Sequence, residues 1–173
     1  MDEGDDSAHP YRLALRLLVP GGNLSGLVYG TLTAGALLAA EAGRHETVGD
    51  LVEAVTIAVV LYWVAHAYAA VLGGRLERPA PLRLSEVAGA LRHEASLLAG
   101  GAAPVAVLLL AHASGVSGET AVTAAMSASV ALLAALEVVA GARAGLRGLR
   151  LSAQVPIGAL MGLGIFALKI ILH

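Results

Sequence analysis

Cysteine is absent from the 173 residues, so thiolate nucleophiles, thiolate metal ligands and a disulfide framework are excluded together. Charge is scarce as well: Asp, Glu, Lys and Arg make up 14% of the chain, against about 25% in an ordinary soluble domain. That scarcity excludes an intrinsically disordered protein and an electrostatic nucleic-acid-binding surface, so no nucleic-acid partner is expected. Enzyme signatures are missing too. The chain holds no H-E-x-x-H, no G-x-S-x-G and no G-x-x-x-x-G-K-[ST], and His93-Glu94 lacks the second histidine of a zinc-binding helix. The expectation is a protein that is not an enzyme and carries no cofactor.

What is abundant is apolar. Hydrophobic residues make up 57% of the chain, and its mean hydropathy is +0.77. Five runs stand out, residues 24–42, 52–73, 95–113, 120–140 and 152–171, each near the ~20 residues that a helix needs to cross a bilayer. Of 24 charged side chains (11 basic, 13 acidic), these runs hold four: Glu41, Glu53, Glu137 and Lys169. Lipid offers the backbone no hydrogen-bond partner, so such runs must be helices rather than open strands. The fold class expected is all-α: a polytopic membrane protein with five transmembrane helices, embedded in the lipid bilayer of the cell's inner, cytoplasmic membrane.

Orientation follows from Lys and Arg alone. Arg12, Arg16, Arg75, Arg78, Arg83, Arg92, Arg143, Arg147 and Arg150 fall on one side of the alternating spans, and Arg44 and Lys169 on the other. This nine-to-two bias puts the N-terminus inside and His173 outside. Residues 1–22 read as an acidic tail (MDEGDDSAHP) followed by a short interfacial helix (YRLALRLLV) that Pro20-Gly21-Gly22 ends. Residues 23–173 then form one five-helix domain. Asn23-Leu24-Ser25 fits a glycosylation sequon but abuts the membrane, where chance is the simpler account. Residues 85–94 (SEVAGALRHE) read as an amphipathic helix running into the third span.

Small residues decide how such helices approach, because lipid supplies little hydrophobic drive between them. Gly26 and Gly30 in the first span, and Gly158 and Gly162 in the fifth, carry the Gly-x-x-x-Gly spacing. In a chain this rich in Gly and Ala, composition alone can generate that spacing. Pro104 and Pro156 are expected to kink or tighten their helices.

Chemistry should sit where polar groups enter the membrane. His66, in LYWVAHAYA, has Tyr62 one helical turn before it on the same face. At 1.5 Å per residue His66 lies ~9 Å, Tyr29 ~8 Å and Glu137 ~5 Å from the cytoplasmic boundary, with Gln154 slightly below. His66, Tyr62, Tyr29 and Glu137 are therefore candidates for a proton relay or a cation path. The plainer reading is a Tyr–His or His–Glu hydrogen bond that fixes packing. A second group, Glu41, His45, Glu46, Asp50 and Glu53, gathers at the outer face with His112 and Glu119 at the same level. Of these, Glu41, His45, Asp50 and Glu53 are the candidates for attracting a cation, although loops without basic residues are acidic by default. Thr120, Thr123 and Ser127 form one weakly polar stripe on the fourth span.

The first span, GLVYGTLTAGALLAA at 26–40, and the end of the chain, GARAGLRGLRLSAQVPIGALMGLGIFALKIIL at 141–172, resemble the glycine-rich opening and the basic loop with fifth span of the vacuolar iron transporter family. The whole chain also looks like small actinobacterial integral membrane proteins. The resemblance to the transporters implies a homodimer that moves divalent metal against protons. The family's first-span acidic position is Tyr29 here, its second-span methionine–glutamate pair is missing, and only 21 residues join spans two and three. No metal residue is carried over. Two functions remain open: a small oligomeric proton or cation transporter, and a non-transporting accessory subunit that binds partner helices.

Overall fold

The computed structural model describes residues 23–42, 44, 47–77, 81–146 and 155–172. The tail and interfacial helix expected over 1–22 lie outside these residues, as do His45, Glu46, Arg147, Arg150 and Gln154. Six helices are described: α1 (Leu24–Glu41), α2 (Val48–Glu77), α3 (Leu84–His93), α4 (Ala95–Ala113), α5 (Gly118–Arg143) and α6 (Val155–Leu172). The described residues contain no strand. The helices α1, α2 and α5, and α3 joined to α4, are long and apolar enough to cross a membrane, while α6 contributes a shorter apolar stretch, Gly158–Ile171.

Local chemistry sets the ends. Asn23 caps α1, its Oδ1 accepting from the Gly26 amide at 3.0 Å. At the start of α2, Thr47 Oγ1 accepts from the Asp50 amide at 3.1 Å and donates to Asp50 Oδ2 at 2.7 Å, a reciprocal arrangement that satisfies an otherwise free first-turn donor. This cap lets α2 begin at Val48, ahead of its apolar run, and the helix continues to Glu77. Ser117 caps α5 through the Thr120 amide. The amphipathic stretch expected over 85–94 is α3, and it is almost continuous with α4. The joint is Glu94, whose φ of −85° and ψ of 5° leave the helical region.

Packing centres on α1, which touches α2, α4, α5 and α6, with its broadest contact on α4. The α1–α4 crossing is a backbone contact. A Cβ on Gly30 would strike the Leu97 carbonyl, and one on Gly100 would strike the Leu27 carbonyl. Across the same seam Thr31 Oγ1 shares its proton between Leu27 O at 2.9 Å and Gly100 O at 3.2 Å. A second glycine seam joins α5 and α6, where a Cβ on Gly158 would meet Glu137 Cγ at 2.7 Å and one on Gly162 would meet Val130 Cγ1 at 2.7 Å. Leu38, Val55, Leu97, Leu108 and Met126 fill the centre. Pro104 is buried inside α4, and the helix runs through it to Ala113; Pro156 stands in the first turn of α6.

One helix sits apart from this pattern. The most apolar window of α2 is 17% buried, against 44% for α1. Leu61, Val64, Tyr68 and Leu72 point away from the other helices. Its contacts with the rest run along the edge formed by α1, α3 and α4.

Candidate functional site

The polar centre of the molecule forms where α2 crosses the first residues of α1 and α4. Glu94 arrives there because the amphipathic α3 gives way to the largely apolar α4, and the last acidic residue before that run is drawn inside with it. Its side chain is 8% exposed, and Oε2 lies 3.7 Å from His66 Nε2. This is ion-pair distance, longer than a hydrogen bond. Asn23 Nδ2 donates to the same oxygen at 3.2 Å. The orientation of the amide is fixed from its other end, where Oδ1 accepts from Gly26 N and, at 2.6 Å, from Ser25 Oγ. One asparagine thus caps α1 and holds the carboxylate.

His66 is presented to this carboxylate between two phenols. Its ring centroid lies 5.9 Å from that of Tyr29 on α1 and 6.0 Å from that of Tyr62, one turn earlier on α2. The imidazole side chain is 37% exposed, so it is open outward while Glu94 is enclosed behind it. Below His66 in the helix, Trp63 Nε1 donates to Leu91 O at 3.0 Å. That carbonyl belongs to the last turn of α3, where helical carbonyls lack partners of their own. The bond ties α3 to α2 next to the Glu94 joint. Ser96, two residues past Glu94, is fully buried, and its Oγ lacks a hydrogen-bond partner.

The structure therefore gathers Tyr29, Tyr62 and His66 from the expected set, and adds Glu94, Asn23 and Ser96. Glu137 is elsewhere: it stands on α5, its Cγ packed over Gly158 of α6, and α5 has no broad contact with α2. Depth along a span placed Glu137 near the level of His66, but the two helices are separated by α1 and α4. Glu94 is not among the polar candidates of the apolar runs because it falls one residue outside the run at 95–113. An asparagine before an apolar helix is a recognisable cap signal, so Asn23 was open to detection.

The outer-face candidates do not assemble in the same way. Glu41 pairs with Arg44 at 3.5 Å, Asp50 is engaged with Thr47, and Glu53 is exposed on α2. Among the described residues no group of three or more His, Asp or Glu is placed to hold a metal ion. The Thr120, Thr123 and Ser127 stripe lines an open groove of about 380 Å³ with Glu119 and Ala124. There Ser127 Oγ donates back to Thr123 O at 2.8 Å, and Lys169 Nζ reaches Thr123 Oγ1 at 3.3 Å. No family model, curated protein or solved structure matches this chain.

Proposed function

We propose that this chain is a five-span protein of the cytoplasmic membrane, N-terminus inside and C-terminus outside, that handles protons or other cations through His66 and Glu94. One observation carries the reading: an enclosed carboxylate 3.7 Å from an outward-open imidazole, in a chain whose long helices are apolar. A buried carboxylate is expensive unless paired, and an imidazole can bind and give up a proton, so the two together form a group that can take up and release positive charge. Tyr29 and Tyr62 flank the imidazole and hold its approach to the carboxylate. The likeness to vacuolar iron transporters extends, in this proposal, to architecture and to assembly as a homodimer, and not to a metal site.

The reading is tested by flux through purified protein in liposomes, with protons, sodium and divalent ions followed separately. Wild type should carry at least one of them, and His66→Ala should return the vesicles to the tightness of protein-free controls. A wild type as tight as those controls would sink transport. The second reading would then stand, that of an accessory subunit. The observation in its favour is the thinly packed α2, whose outward Leu61, Val64, Tyr68 and Leu72 suit a partner helix as well as lipid.

A further inference from the structure

The polar centre can be asked which positive charge it would accept, a question that rests on the reading above. A metal or alkali ion needs several oxygen acceptors turned toward it. The atoms that face the Glu94 carboxylate are nitrogens instead. Asn23 presents its amide nitrogen, because its oxygen is already committed to Gly26 and Ser25. His66 presents Nε2. No second carboxylate joins them: among the described residues no group of three or more His, Asp or Glu is placed to hold a metal.

Glu94 is the joint between α3 and α4, C-cap of one and N-cap of the other, and Asn23 is the N-cap of α1. A proton, unlike a metal or alkali ion, needs no set of oxygen acceptors around it, since it bonds to one oxygen and leaves no separate ion. The charged neighbours that precede Glu94 on α3, Arg92 and His93, are exposed. From α1 the group facing His66 is the phenol ring of Tyr29, and from α2 that of Tyr62.

Ser96 completes the set. Its hydroxyl is fully buried without a partner. A Cβ on Gly26 would meet both Ser96 Oγ and, at 3.3 Å, Asn23 Nδ2, so the hydroxyl and the amide flank one point at the start of α1. A hydroxyl both donates and accepts, and so can serve a carboxyl group in either protonation state.

We infer that the ion taken by this site is a proton, exchanged between His66 Nε2 and Glu94 Oε2, with the unpartnered Ser96 hydroxyl turning to the carboxyl group only as its protonation changes, and that the site excludes metal and alkali cations. Transfer from the acid to neutral imidazole breaks the Glu94 O–H bond and forms an N–H bond on His66. The electron pair stays on the carboxylate oxygen, and no oxidant or co-reactant enters. The exposed imidazole is the point of exchange with the surroundings, and the enclosed carboxyl group is the store.

The test uses the full chain in liposomes with the membrane potential clamped. Proton entry is read by a trapped pH dye, and Na⁺ and Mn²⁺ by their own indicators. Infrared difference spectra after a pH jump follow the C=O stretch of the protonated carboxyl group. Wild type should carry protons and neither metal, and Glu94→Gln should cut the proton rate by about a hundred-fold while deleting the carboxyl band. Ser96→Ala should slow proton uptake with a thermal midpoint unchanged or raised, because it removes an unpartnered hydroxyl. Na⁺ or Mn²⁺ flux that Glu94→Gln abolishes, or a carboxyl band that either ion displaces at fixed pH, would overturn the proton assignment and leave ion handling intact. Wild-type proton rates in Ser96→Ala would overturn the hydroxyl's part. A wild type that carries nothing would remove the reading on which the inference rests. If Glu94→Gln fails to fold, the ion dependence of the wild-type carboxyl band still decides.

Discussion

At the scale of single residues, Asn23 does two jobs that a pair of substitutions can separate. It caps α1 through Oδ1 and donates to Glu94 through Nδ2. Asn23→Ala loses both, at about 1 kcal/mol for the cap alone. Asn23→Asp keeps an equally good cap but turns a second carboxylate toward Glu94 at the position where a donor stood. Two carboxylates in one enclosed site cannot both ionise without strong repulsion. Asn23→Asp should therefore be less stable than wild type at neutral pH and recover as the pH falls and one carboxyl group is protonated. Thermal melts in detergent across pH check this, and a flat, wild-type-like profile for Asn23→Asp would show that the amide–carboxylate contact contributes nothing. The residue scale is also where the sequence was least legible. His66, Tyr62 and Tyr29 were found as polar intruders in apolar runs, but their acid was not. Position along a helix gives depth at 1.5 Å per residue, whereas contact depends on rotation about the axis, which an apolar run with no amphipathic face does not reveal.

At the scale of elements, glycine contacts grade from open space to backbone, and this predicts a graded cost. Gly164 on α6 has nothing within 4 Å of where a Cβ would stand, Gly162 on the same helix meets Val130 Cγ1 at 2.7 Å, and Gly30 on α1 meets the Leu97 carbonyl. Gly164→Ala should be neutral or stabilising, by up to about 1 kcal/mol, through helix propensity and reduced freedom of the unfolded chain. Gly162→Ala forces a valine aside and should cost about 1–3 kcal/mol. Gly30→Ala should cost the most, because a carbonyl in a helix has no alternative rotamer and α1 must lift away from α4. Unfolding midpoints of the three variants in one detergent test the order, and equal values for Gly164→Ala and Gly30→Ala would break it. The helices themselves were legible: residues 24–42 and 95–113 correspond to Leu24–Glu41 and Ala95–Ala113 almost end to end. The partners of the glycines were not, since the Gly-x-x-x-Gly spacing marks a close face without saying which helix lies against it. For Gly26 and Gly30 the answer is α4, through Leu97 and Gly101.

At the scale of the whole molecule, the spans alternate in direction around α1, so that Asn23, Glu77, Leu84, Glu94 and Arg143 belong to one end while Glu41, Val48 and the Ala113–Gly118 turn belong to the other. The basic residues divide along that axis. Arg75, Arg83, Arg92 and Arg143 belong to the first end, and Arg44 and Lys169 to the second. In the orientation proposed from the positive-inside bias, the His66–Glu94 pair would face the cytoplasmic side, about 18 helical residues of α1 away from the outer end. The absence of cysteine makes this testable without background, because any single introduced thiol is the only one in the chain. Ser114→Cys, in the exposed turn after α4, should react with a membrane-impermeant maleimide in intact cells. Ser85→Cys on α3 and Ala144→Cys after α5 should react only once the membrane is opened. Labelling of Ala144→Cys and Ser85→Cys in intact cells, with Ser114→Cys protected, would invert the protein and put the imidazole on the outside. That inversion would change the mechanism as well as the topology. An outward-facing His66 would meet the more acidic side of an energised membrane, whereas a cytoplasmic one would exchange the proposed proton with the cell's own buffered interior.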